Sequence, residues 1–588
     1  MQYSKKILSY ELLIHKGSPF ELHDMTVGGI TCKVFPRGPQ TLRDVFMKAA
    51  VFADREFIVK DDTRLLFGQA FSWGNDFARY LRWKYGIKKG SRVALVMKTC
   101  PEWAIAFMSL CFAGAVPVVI PAEAEGYAIY KAIEVSNCEL TIADFHTVRK
   151  ISVSEKKCPV VVPVARRSDA LLYVGELPGL SIFSFSDAPI VKGASGIKGA
   201  SEISDIDESR EAMSSEAVPD NEAAPDSDDE ALISFTSGTT GEPKGVIHSH
   251  RNMTTGLMNM MLGGMAMSFR ASKDGRKRSN DVQPHSLLLS PFSHIGGYSH
   301  LLLMSYLGGK IVLMPEWDLR RASALIESES VRSLSGFSPA MAAELLRFNR
   351  ATDCLRSLTN LNIHGAAPQM RFIREIADEF PQINLTVSYG MTETCGAISV
   401  VSGKELLDEP QLAGRLLPSV MVKIVEQDGR EAAIGSSGEI YARGAMVMRG
   451  YCCRGGDSVG ILRDGWLKTG DMGYVDSAGN LYVTGRMDKV GFGKKLISSG
   501  ELERMLCEME WIDEAAVIEI PNIGRRSGIL VTIIPNRTRR ISECELEREV
   551  IKVVSEYSDD IHVSIMSDIP RTASGKADRS ALRLQLSR

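Results

Sequence analysis

The run TSGTTGEPKG, Thr236 to Gly245, places three glycines, four hydroxyl side chains and one lysine in ten consecutive residues. Backbone N–H groups of a Gly/Ser/Thr turn can form an anion-binding nest, and glycine supplies the positive φ that such a turn needs. Thr236, Ser237, Thr239 and Thr240 can donate hydroxyls, Gly238 and Gly241 can admit close approach, and Lys244 adds a mobile charge. The chemistry is phosphate binding. The pattern is not G-x-x-x-x-G-K-[ST], so an ordinary P-loop does not fit. A plain β-hairpin loop is the competing reading.

Three further runs carry polar residues of the right kind. In SYGMTETCG, Ser388 to Gly396, Glu393 offers a carboxylate for Mg²⁺, Thr392 a hydroxyl for phosphate and Tyr389 an aromatic face for a base. The run follows an apolar strand, and α/β proteins bind ligands at the carboxyl ends of strands. A simple helix cap is the alternative. In DGWLKTGDMGYVDSAGNLYVTGRMDK, Asp471 could hold ribose hydroxyls and Arg486 ribose or phosphate; read alone, both sit in hairpin turns. In PRTASGKADR, Lys576 lies on a Ser-Gly turn before a final helix, and in isolation is an ordinary surface lysine.

The elements that position these runs follow from pattern. Residues 40 to about 190 alternate helix and strand: TLRDVFMKAAVFA and EWAIAFMSLCFAGA have helical character, SRVALVM and VPVVIP read as buried strands. Alternation of this kind implies a sheet covered by helices. It resumes with the strands ALISF and GVIHS, a helix from about His250, and further strand–helix pairs as far as NLTVSYG. Residues 420–484 read as short strands and turns, a β-rich subdomain. After GRMDK, two helices and three strands make a compact α+β unit. The expected fold class is therefore α/β. A large N-terminal domain, 1–487, has helix-covered β-sheets and a β-rich subdomain, and a small α+β C-terminal domain spans 488–588.

Composition narrows the class. The chain has 588 residues, enough for about three or four domain-sized units. A net charge of −3 gives no global attraction to nucleic acid or anionic membrane. The N-terminus lacks the apolar run of a signal peptide, and no stretch is long and apolar enough to span a bilayer. Eleven cysteines without C-x-x-C spacing favour reduced thiols and a cytoplasmic setting. The last residues do not form a peroxisomal address. One segment stands apart. SEISDIDESREAMSSEAVPDNEAAPDSDDE, within residues 193–230, has twelve acids and one base, and its composition predicts a disordered insertion.

The order of the motifs is more specific than any one of them. T-S-G-T-T-G-x-P-K-G, Y-G-M-T-E, T-G-D, G-R-x-D and P-R-T-x-S-G-K succeed one another as in the adenylate-forming superfamily. From about Thr41 onward the chain resembles stand-alone acyl- and aryl-CoA synthetases of that superfamily. The resemblance implies that a carboxylate attacks the α-phosphorus of ATP and pyrophosphate leaves. It assigns the β- and γ-phosphates to the Thr236–Gly245 loop. Thr392 and Glu393 receive the α-phosphate and Mg²⁺, Asp471 and Arg486 the ribose, and Tyr389 with Ala366 the adenosine. Lys576 would bridge the carboxylate and the α-phosphate. A mobile C-terminal domain would then turn about Asp488 and let a thiol attack the acyl-adenylate.

The same resemblance places His294, Phe337, His364, Gly365, Met391 and Cys395 around the acyl group, with His294 also at the catalytic gate. No lysine or aspartate is placed for an α-amino group, so an aromatic or medium-length carboxylic acid is expected rather than an amino acid. Coenzyme A is the expected acceptor, and a separate acyl carrier protein the alternative; the chain ends soon after Lys576, so no fused carrier domain is expected. One departure concerns the turn after Asp488. It reads KVGFGKKLISSGELE, one residue shorter than the family spacing, with Gly493 as the best match to the thiol-tunnel glycine. A non-catalytic relative with the same fold is disfavoured by the presence of Glu393, Arg486 and Lys576. A P-loop NTPase is disfavoured by the absence of G-K-[ST].

Overall fold

The computed structural model describes residues 8–151, 159–166, 181–186, 224–236, 244–273, 283–352, 354–364, 368, 370–409, 411–452, 461–487, 489–490, 497–520, 528–536, 539, 541–571 and 577–585. Its contacts divide the chain into two compact units. The first comprises Met1–Trp317 with Gly390–Ala397 and Gly444–Gly465; the second comprises Asp318–Tyr389, Ile398–Arg443 and Trp466–Arg588.

The first unit is built on apolar strands that are buried on both faces. Arg92–Val96, Val116–Val119 and Leu140–Ala143 are almost wholly buried, as strands of a helix-covered parallel sheet must be. The sheet runs in the order Gly450–Cys452, Lys244–Ser249, Glu230–Thr236, Val116–Val119, Arg92–Val96, Leu140–Ala143, Val160–Arg166, Ser181–Ser186. From Glu230–Thr236 onward every described pairing in that order is parallel. Lys244–Ser249 is antiparallel to both neighbours. The helix Pro101–Ala113 starts with proline, ends at Gly114 in the left-handed region and has twelve buried residues, so it lies inside the unit. The helix His250–Lys273 starts at a reciprocal pair: Asn252 N–H donates to Ser249 Oγ at 3.1 Å, and Ser249 N–H donates to Asn252 Oδ1 at 2.8 Å.

The second unit holds the parallel strands Ser333–Ser335 and Asn360–His364 and, up to Tyr389, the strand Asn384–Met391. It also holds the antiparallel strands Leu412–Leu416, Asn480–Arg486, Trp466–Val475, Gly438–Arg443 and Met421–Val425. The C-terminal strands Ile512–Ile520, Gly528–Pro535 and Ile561–Ile565 form a sheet of their own. Leu502, Leu506, Val517, Val531, Leu546 and Val550 fill a core beside it.

The α/β class expected from sequence is the class observed, and the expected strands and helices fall where the apolar patterns put them. The insertion ends earlier than its composition implies. Asp226–Glu230 leads into a strand and is held by opposite charge: Lys89 Nζ lies 2.8 Å from Asp229, Arg251 2.7 Å from Asp228 and Arg92 2.8 Å from Glu230. Acids that find partners do not behave as a solvated run. The remainder of the insertion, through residue 223, lies outside the described residues. Nine cysteines among the described residues are free thiols. No helix among the described residues is long and apolar enough to cross a membrane.

Candidate active site

In the first unit, antiparallel pairing sets Thr236 directly opposite Lys244, at the mouth of the expected phosphate loop. The next strand continues the same face. Tyr451 pairs with Val246, two residues beyond Lys244, so the alternation of side chains puts Lys244 and Tyr451 on one side of the sheet as diagonal neighbours. The Lys244 ammonium lies 5.8 Å from the centre of the Tyr451 ring, within cation–π reach. The opposite face, with Ile233, Phe235 and Cys452, is packed into core.

The Tyr451 hydroxyl donates to Oε1 of Glu393 at 2.7 Å. Glu393 sits in a single 3₁₀ turn, Thr392–Thr394, that ends at Cys395 with φ 52°. Four contacts fix this turn. Met448 N–H donates to the Glu393 carbonyl at 2.8 Å. Met391 N–H donates to Thr394 Oγ1 at 3.1 Å, and that hydroxyl donates to the Gly396 carbonyl at 2.8 Å. The Cys395 sulfur lies 3.1 Å from His248 Nδ1. His248 has no exposed surface, and burial pulls its imidazole down to about 3. Burial likewise pushes the Cys395 thiol up, so this is a neutral thiol–imidazole contact rather than an ion pair.

The second unit carries a separate polar cluster. Tyr389 is the last residue before the chain enters the Gly390–Ala397 excursion, and its hydroxyl donates to Asp471 Oδ2 at 2.7 Å. Arg486 Nη1 donates to Asp471 Oδ1 at 3.0 Å. Asp471 and Arg486 are direct partners across the Trp466–Val475 and Asn480–Arg486 strands, so the register sets the pair. Burial, and then the adjacent Asp471 carboxylate, raises the Tyr389 hydroxyl well above the usual phenol value; it stays a donor. Each Asp471 oxygen keeps a lone pair for a further donor such as a sugar hydroxyl.

Two other expected residues are almost wholly buried. Cys395 and Phe337 are 2% and 1% exposed, and the Cys395 sulfur is turned to His248 and Met253. His294 precedes the helix Ile295–Leu307, and its carbonyl accepts from Gly297 and Tyr298. Met391 is half-buried. Ser237, Gly238, Thr239, Thr240, Gly241, Gly365, Ala366, Asp488, Gly493 and Lys576 lie outside the described residues, as does the side chain of His364. The residues flanking Lys576 are placed: Arg571 and Ala577 form an antiparallel bridge, and Arg571 donates twice to Glu514, at 3.0 and 2.6 Å.

A family profile described as AMP-binding enzyme matches residues 45–452. The chain belongs to the AMP-binding enzyme family. Among curated relatives, the 4-coumarate–CoA ligase-like 2 protein of Arabidopsis thaliana is 30% identical over 364 residues, covering 60% of this chain. The chain spans 61% of the length of that relative. The indoleacetate–CoA ligase of Aromatoleum aromaticum is 30% identical over 362 residues, 61% of this chain and 67% of its own. The o-succinylbenzoate CoA synthetase of Bacillus subtilis, solved with its acyl-adenylate intermediate, shares the fold. It has a TM-score of 0.65 and 23% identity, and the match covers 92% of this chain and 97% of that one. The same synthetase has also been solved with ATP and magnesium ion.

Two residues of this AMP-binding enzyme stand close to the expected site without having been expected there. Tyr451 is separated from Glu393 by 58 positions, and His248 from Cys395 by 147. Tyr451 precedes the Cys452–Cys453 pair, and nothing in that run marks its contact with Glu393. Only the pairing of the edge strand Gly450–Cys452 reveals it.

Proposed function

We propose that the protein is an acid–thiol ligase that activates a carboxylic acid with ATP and passes the acyl group to coenzyme A. The observation that carries the reading is the first-unit cluster, where the base of the Thr236–Lys244 loop and the Glu393 carboxylate meet on the two ends of one tyrosine. A loop for phosphate beside a carboxylate for a cation is the arrangement an ATP-cleaving step needs.

In the first half-reaction a carboxylate oxygen attacks the α-phosphorus of ATP. The bond from that phosphorus to the bridging oxygen breaks, and pyrophosphate leaves with its electron pair. Charge on the phosphoryl oxygens is the quantity to be stabilised, so positioning and cations dominate. Thr236 and Lys244, with Ser237, Gly238, Thr239, Thr240 and Gly241, hold the β- and γ-phosphates, and Thr392 holds the α-phosphate. Magnesium in nucleotide sites takes one or two carboxylates together with phosphates and water. Glu393, whose Oε1 alone accepts a hydrogen bond among the described residues, fits that role, and the ion would neutralise phosphate charge. Asp471 and Arg486 hold the ribose, and Tyr389 and Ala366 border the base.

Lys576 brings the carboxylate and α-phosphate together. In the second half-reaction the C-terminal segment turns at Asp488 and withdraws Lys576. The thiol sulfur, losing its proton, attacks the acyl carbon; the bond to AMP breaks and AMP leaves. The separate core of the C-terminal segment supports its moving as a body. Coenzyme A is preferred to a carrier protein because the curated relatives bear CoA-ligase names. Those names, coumarate and indoleacetate, favour an aromatic acid bordered by His294, Phe337, His364, Gly365 and Met391. Incubation with ATP, magnesium, coenzyme A and aromatic acids tests the reading. AMP and thioester should form in equal amounts. AMP without thioester would remove coenzyme A as the acceptor.

A further inference from the structure

Lys244 and Glu393 carry opposite charges and touch the same side chain, yet they form no ion pair with each other; Lys244 meets the Tyr451 ring at 5.8 Å, and Glu393 meets its hydroxyl at 2.7 Å. We propose that Tyr451 is a positioning residue that keeps the loop lysine and the metal carboxylate apart and aimed, so that each is free for its own part of a magnesium–nucleotide ligand. The inference rests on the adenylation reading, because it gives Glu393 a cation and Lys244 a phosphate.

The argument is one of placement and freedom. Tyr451 sits in the middle of a three-residue edge strand whose pairing with Lys244–Ser249 fixes its backbone and the face its side chain takes. The backbone before it is tied on both sides. Met448 N–H donates to the Glu393 carbonyl at 2.8 Å, and Arg449 N–H donates to the Ile247 carbonyl at 2.9 Å. The tyrosine is therefore anchored to the strand that carries the lysine and to the turn that carries the glutamate. Lysine and glutamate are long side chains with much rotamer freedom. A hydrogen bond to a carboxylate is among the stronger ones, and the aromatic face offers the ammonium a weaker seat. One rigid ring thus restricts two flexible charges. A collapsed Lys244–Glu393 pair would have to be broken before either could meet a ligand.

Two variants separate the two ends of the ring. Tyr451→Phe keeps the ring and removes the hydroxyl; Tyr451→Leu removes both; the wild type is the reference. Calorimetric titration with ATP, with and without magnesium, reads binding rather than turnover, and circular dichroism checks that each variant is folded. The wild type should bind ATP more tightly when magnesium is present. Tyr451→Phe should lose about fivefold to tenfold of that magnesium-dependent gain and keep its magnesium-free affinity. Tyr451→Leu should lose the gain and also bind magnesium-free ATP severalfold more weakly. A folded Tyr451→Phe chain with the full magnesium gain overturns the inference and leaves the adenylation reading standing. A wild type that binds ATP but gains nothing from magnesium overturns both. A merely structural tyrosine would lower both affinities together in Tyr451→Phe, and that outcome in the Phe variant also contradicts the proposal.

Discussion

The Tyr389 hydroxyl and the Asp471 carboxylate are joined at 2.7 Å across 82 positions of sequence, with Arg486 on the other carboxylate oxygen at 3.0 Å. The buried Asp471 is thus oriented from both sides before any ligand arrives. A pre-oriented carboxylate can receive sugar hydroxyls without the cost of ordering itself. Tyr389→Phe removes one hydrogen bond, about 1 kcal/mol net, and should raise KM for ATP severalfold. Asp471→Ala removes the acceptor and leaves Arg486 without its partner, and should raise it more than tenfold. AMP release at saturating acid and varied ATP reads both. Unchanged KM in Asp471→Ala would take Asp471 out of the nucleotide site.

On the proposed reading, Lys576 acts in the first half-reaction only. Lys576→Ala should abolish acyl-adenylate formation from acid and ATP, while thioester formation from supplied acyl-adenylate and coenzyme A continues at near the wild-type rate. Equal loss of both would contradict the proposed turning of the C-terminal segment at Asp488.

Gly256 lies on the helix His250–Lys273, where a Cβ would come within 2.4 Å of the Cys395 carbonyl oxygen and 2.7 Å of its Cβ. Alanine is worth about 1 kcal/mol over glycine in a free helix. Overpacking against backbone costs about 1–3 kcal/mol, and the backbone in question is the turn that carries Glu393. Gly256→Ala should therefore lower the melting temperature and reduce adenylation. A rise in melting temperature with full activity would show that the turn is not held against this helix.

His248 and His250 are 0% and 3% exposed, and burial pulls them down to about 3 and about 4. His250 also accepts the Leu42 N–H at Nδ1, 3.1 Å away, which requires that nitrogen unprotonated. In the unfolded chain both protonate near pH 6.5. Between that value and the folded values the unfolded state binds more protons, so stability rises with pH. The contribution is complete above about pH 6.5 and is lost as pH falls toward 4. The melting temperature of the wild type should fall between pH 7 and pH 5. His250→Gln, whose amide oxygen can still accept from Leu42, should fall less steeply; equal slopes would remove His250 as a cause.

Runs of neighbouring residues were legible in the sequence, and pairings between distant strands were not. The strand Val116–Val119 is four consecutive apolar residues, and Pro101 and Gly114 mark the ends of a helix, so local pattern placed both. Thr236 and Lys244 close one short loop, so their pairing follows from the motif itself. Tyr451 could not be read this way, because its nearness to Lys244 depends on which strand joins the edge of the sheet. Cys395 shares a run with Glu393, yet the structure turns its sulfur toward His248, since a left-handed backbone at φ 52° reverses the direction of the chain there. The hairpin His23–Val27 and Ile30–Val34 is marked in the sequence by its Gly-Gly turn. Gly28 and Gly29 both have positive φ, as a two-residue hairpin turn requires.

The central claim is that this chain makes an acyl-adenylate, and exchange of labelled pyrophosphate into ATP across a panel of carboxylic acids tests it most directly. The account expects magnesium-dependent exchange that appears only with acid present and is strongest with an aromatic acid. The exchange should vanish in Lys576→Ala. Absence of exchange with every acid, from a folded chain that binds ATP, would contradict it.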